Sequence, residues 1–129
     1  MKDIQVPISP GELLDKITIL RIKAARISDA SKVANVRHEL TLLETTWRDS
    51  GAAAVDLTAE EAGLTRVNEK LWVIEDEIRD EERARRFGEK FIELARAVYV
   101  TNDERAAIKK RVNTLLGSSI VEEKSYQQY

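Results

Sequence analysis

The chain has no cysteine. That excludes disulfide staples, a thiol nucleophile and a zinc–thiolate site. It has a single histidine, His38, which makes a transition-metal centre a poor fit. Aromatic residues are only 5% of the total, and two Pro and five Gly are scattered over 129 positions. Long stretches therefore run without a breaker, which suits helices with aliphatic seams. No apolar run approaches the ~18 residues of a membrane span. The opening MKDIQVPISP lacks a signal-peptide apolar region. These features lead us to expect a cytoplasmic protein. The formal charge of −2 argues against general nucleic-acid binding, which needs a net basic surface. There is no Gly-rich phosphate loop and no Gly-x-Ser-x-Gly elbow.

What is present is charge, 34% of residues, laid over regular apolar periods. The length suits one domain, residues 1–129, large enough to bury its own core. Residues 1–8 alternate briefly and contain Pro7, which suggests an extended arm or short edge strand. Ser9, Pro10 and Glu12 then form a capping-box signature. In the helix that follows, Leu13, Ile17, Leu20, Ala24 and Ile27 are spaced 4-3-4-3. Leu14, Ile19 and Ile22 lie off that seam, so this first helix is expected to be central and covered on more than one side.

Ser28 or Asp29 can cap a second helix with the seam Val33, Val36, Leu40, Leu43 and Trp47. So short a joint implies an antiparallel helical hairpin. After Gly51 and a connector, Thr58 with Glu61 suggests another capping box. A long third helix, with Leu64, Val67, Leu71, Ile74 and Ile78 inward, should run to about Arg86 and break at Gly88. A fourth, shorter helix (Phe87, Phe91, Leu94, Val98) and a fifth are predicted to be separated at Thr101, where Glu104 completes a capping pattern. The fifth carries Ile108, Val112 and Leu115 and stops at Gly117. The expected fold is all-α, a bundle of about five helices, with a tail at 118–129 whose conformation periodicity leaves open.

Several polar residues exceed what a plain bundle requires. Asp15, Lys16 and Lys23 sit among the aliphatics of the first helix. The two lysines, seven apart, share a face, where they can lay their stems on apolar surface or line an anion pocket. Asp15 needs a partner from another helix if it is buried. On the third helix Asn68, Trp72, Glu75, Arg79 and Glu82 make a stripe beside the core, within which Glu75 and Arg79 can pair. Asn102, Asp103, Arg105 and Lys109, with Asn113 beyond, form a polar run that could hold a phosphate or carboxylate. The acidic cluster at 75–82 is interleaved with arginines and reads as a solvated helix, not a metal site. The pattern of all-α nucleotide pyrophosphohydrolases fails, because Glu60–Glu61 is followed by Leu64 where a third Glu belongs.

Four pieces, GELLDKITIL at 11–20, LWVIEDEIR at 71–79, ARAVYVTNDERAAIKK at 95–110 and EEKSY at 122–126, together resemble an uncharacterised family of small bacterial and viral proteins. The resemblance spans nearly the whole chain. It implies no established activity, and only a context near glycan-assembly genes. Two readings follow. The first is a helical binding or accessory module, a homo-oligomer with an inter-helix pocket for an anionic small molecule or a protein partner. Its candidate ligand-binding residues are Asp15, Lys16, Lys23, Asn68, Arg79, Asn102, Asp103, Arg105 and Lys109. The second is a small enzyme that positions a phosphorylated or carboxylate metabolite with these cations, Glu75 being the candidate acid or base. Neither calls for a metal or a cofactor.

Overall fold

The computed structural model describes residues 1–129. The fold is all-α, with helices α1 (Pro10–Arg26), α2 (Ala30–Asp49), α3 (Thr58–Arg83) and α4 (Glu89–Leu115), and a single 3-10 turn at Ala52–Ala54. No helix is long and apolar enough to cross a membrane. Residues 1–8 form an exposed arm without regular structure, so the strand alternative for them is not realised.

Ser9 caps α1 by accepting the Glu12 N–H at 3.2 Å, an interaction that contributes about 1 kcal/mol. The reciprocal half of the box is missing because the Glu12 carboxylate turns to Lys109 on α4. Asp29 caps α2 through the Lys32 N–H. Thr58 is the first residue of α3 and not its cap. Both its N–H and its hydroxyl donate to Asp56, and Glu61 pairs with Arg21 instead. These side chains are drawn off by tertiary partners, which local spacing does not encode.

There are four helices, not five. Residues 89–115 hold no Gly or Pro, and α4 passes through Thr101 without interruption, with Thr101 itself buried and α3 the helix it contacts most. The expected break at Gly88 also lies elsewhere. Arg85, at φ 57°, is the left-handed residue that ends α3. Arg86 N–H donates to Glu81 C=O and Arg85 N–H to Glu82 C=O, the pair of bonds that define a Schellman turn. Gly117, at φ 63°, does the same for α4, with Ser118 N–H on Asn113 C=O. A side chain in this conformation costs about 1–2 kcal/mol, against roughly 0.4–1 kcal/mol of added unfolded-state freedom for glycine. Arg85→Gly should therefore raise stability by about 0.5–1 kcal/mol in urea unfolding. A loss of stability would mean that the Arg85 side chain holds the turn.

The core joins α1, α3 and α4: Leu14 packs with Leu57, Leu64, Val67, Ile108 and Val112, closed by Trp47 and Leu116. Helix α2 buries none of its residues and lies chiefly on α1. All polar bonds from α1 to the α3–α4 pair fall in one half of that pair, at Glu61, Asn68, Arg105, Lys109 and Asn113. The other half, around Arg79 and Phe87, extends as a two-helix arm.

Candidate functional site

The interface between α1 and α4 is polar. Thr101, Arg105, Lys109 and Asn113 fall four apart on one face of α4, and three of them bond to α1. Asn113 Oδ1 accepts the Gly11 N–H at 2.7 Å. Lys109 Nζ meets Glu12 at 2.6 Å. Arg105 grips Asp15 with two parallel bonds, Nε at 2.9 Å and Nη2 at 2.5 Å. The approach is close because residue 11 is glycine: a Cβ there would overlap the Lys109 carbonyl oxygen and lie 2.8 Å from Asn113 Oδ1.

Asp15 is fully buried. Besides the guanidinium it accepts a bond from Asn68 Nδ2 at 2.9 Å. Asn68 also donates to Thr18 Oγ1, whose own proton goes to the Asp15 carbonyl. Both carboxylate oxygens are thus bonded and the charge is paired, which is what a buried charge requires. Asp15 lifts the Arg105 guanidinium above its ordinary value, outweighing burial. Burial opposes the charge on Lys109, but Glu12 and then Glu122 prevail and raise it. Two buried atoms of the stripe, Thr101 Oγ1 and Asn113 Nδ2, have no hydrogen-bond partner.

On the outer side of this stripe lies an open groove of about 1300 Å³, formed between α4 and the tail. Asn102, Asp103, Arg105, Lys109, Lys110 and Lys124 line it. Arg105 spends two of its five N–H groups on Asp15. Its side chain remains 28% exposed. Asp103 is held below the usual aspartate range by bonds from Lys124 and Tyr129. The profile of a family of unknown function, DUF6165, matches residues 4–129. The chain belongs to that family. No curated protein and no solved structure matches it.

In this DUF6165 member the candidate residues divide into three groups. Asp15, Asn68, Arg105 and Lys109 converge at the α1–α3–α4 junction, and Asn102 and Asp103 join Arg105 and Lys109 on the groove. Glu75 and Arg79 pair with each other one turn apart on the α3 arm and bond to nothing in that cluster. Lys16 is exposed and Lys23 half-buried, neither in an ion pair. Lys16 follows Asp15 directly, so the helical turn that buries the carboxylate aims the lysine outward.

Sequence reasoning missed Thr18, Lys110 and the acidic tail residues as parts of one constellation. The 4-4-4 spacing from Thr101 to Asn113 could have revealed the full stripe. Assigning Thr101 to a helix cap concealed its first member.

Proposed function

We propose that this protein is a helical binding module that holds an anionic ligand, through carboxylate or phosphate groups, in the groove of α4. One observation carries the proposal: Arg105, Lys109, Lys110 and Lys124 gather with Asn102 on one open groove. The carboxylates on the same groove, Asp103, Glu122 and Glu123, are each paired with one of those lysines. Asp15 is buried and held by three bonds, and Glu75, the candidate for an enzymatic reading, is tied to Arg79 on the arm. We place the module in the cytoplasm. We further propose that it self-associates through apolar residues left exposed on the α3–α4 arm, Val73, Phe87 and Ile92. A link to glycan assembly rests on the family resemblance alone.

Isothermal titration with inorganic pyrophosphate tests the ligand proposal. Saturable binding is expected, weakened about tenfold, or 1.4 kcal/mol, in the double variant Lys110→Ala/Lys124→Ala. Both lysines lie outside the core, so the fold persists. Glu75→Gln should bind as the unmodified chain does. Absence of saturable heat, or loss of binding in Glu75→Gln, would overturn the proposal.

A further inference from the structure

One wall of the groove is itself a peptide, the tail laid against α4. Residues 118–129 contain no helix or strand and bury none of their residues. Their contacts nevertheless all fall along α4, between Tyr99 and Lys110. Glu122 reaches Lys109 at 3.4 Å and Glu123 reaches Lys110 at 3.8 Å. Lys124 then meets Asp103 at 2.8 Å. Last, the Tyr129 hydroxyl donates to Asp103 at 2.6 Å, and its ring lies 4.9 Å from that of Tyr99. Gly117, in its left-handed turn, sends the chain back over the helix it has just left.

Geometry favours a chain over a compact ion. From Val98 to Lys110 the groove follows about 18 Å of helix at 1.5 Å per residue. That is the span of roughly five or six extended residues. Its polarity also changes along its length. Two cations stand at one end, an aspartate and a tyrosine at the other. A lone phosphate would use only the first end.

Building on the anion-binding proposal above, we infer that the groove reads an extended peptide segment of a partner protein. That segment carries two consecutive carboxylates, then a cation, then an aromatic residue. The chain's own tail is a built-in competitor that such a segment displaces. The tail buries none of its own residues and is held chiefly by ion pairs, of which only the one to Lys109 reaches a buried side chain, so contacts of the same kind can replace it. Tethering gives the tail an effective concentration in the millimolar range, which keeps weak acidic peptides out.

The test uses the full chain, unmodified and as E122Q/E123Q, which weakens the tail and leaves the cations of α4 intact. The probes are a fluorescein-labelled peptide IVEEKSYQQY, its counterpart IVQQKSYQQY, and pyrophosphate. The acidic peptide should bind E122Q/E123Q at least tenfold tighter than it binds the unmodified chain, and at least tenfold tighter than the neutral peptide does. Trypsin should cut after Lys124 faster in E122Q/E123Q without any ligand. If pyrophosphate binds while the two peptides bind alike or not at all, the peptide inference falls and the anion proposal stands. If neither pyrophosphate nor peptide binds either chain, both fall. Equal tryptic rates would show that the glutamates do not hold the tail, and would remove the competitor.

Discussion

Arg105→Ala is expected to cost about 3–5 kcal/mol of folding stability, the largest loss from any single polar change in the chain. The substitution strands Asp15, which has no solvent exposure, with Asn68 as its one remaining side-chain partner. Removing one member of a buried ion pair costs more than the pair contributes, because the survivor keeps its desolvation penalty. Asp15→Asn should therefore be much less harmful on top of Arg105→Ala than alone. Urea unfolding of the four-member cycle should give a coupling of about 2–3 kcal/mol. Arg79→Ala, which breaks the exposed pair with Glu75, should leave the unfolding midpoint where it was. Additive effects of the Asp15 and Arg105 substitutions would contradict the structural role assigned to their contact.

Gly11→Ala is the second large effect. In an open helix this change gains about 1 kcal/mol of helix propensity. Here the methyl group would overlap the Lys109 carbonyl, a backbone atom that cannot turn aside. Helix α1 must then lift away from α4, lengthening the Gly11–Asn113, Glu12–Lys109 and Asp15–Arg105 contacts together. A net loss of about 2–3 kcal/mol is expected. Gly63→Ala is the matched control. A Cβ there comes 3.1 Å from Ile108 Cδ1, the tip of a flexible side chain. Its propensity gain offsets that adjustment, so stability should stay within about 0.5 kcal/mol. Equal losses at the two glycines, measured by thermal unfolding, would mean that the approach of α1 to α4 is not the limiting contact.

The contrast between these sites shows what the sequence made legible. The start of α1 could be read from Ser9 and Pro10, and its burial from two interleaved aliphatic series. Leu13, Leu14, Ile17, Leu20 and Ile22 are all buried. The need of a buried Asp15 for partners was also legible, since an aspartate among aliphatics must be either solvated or paired. The continuity of α4 was not. Thr101 and Glu104 have cap spacing, but a threonine and a glutamate three residues apart are equally compatible with a helix interior. Packing against α3 decides the matter, and that is a tertiary fact. The end of α3 escaped for a related reason: the left-handed residue is Arg85, not a glycine, so no local signal marks it. The tail has no periodicity. Its place on α4 depends on charges that become neighbours only once α4 is one helix and Gly117 turns the chain back.

The central claim is that ligand binding belongs to the outer groove of α4, while the buried Asp15–Arg105 junction holds the scaffold that shapes it. A pyrophosphate titration followed by backbone amide NMR of the full chain tests this most directly. Saturable shifts should cluster at Asn102, Arg105, Lys109 and Lys110 and along the tail from Glu122 to Tyr129, with Lys16, Glu75 and Arg79 unmoved. Shifts centred on Glu75 and Arg79, or no saturable shift at any residue of α4, would contradict it.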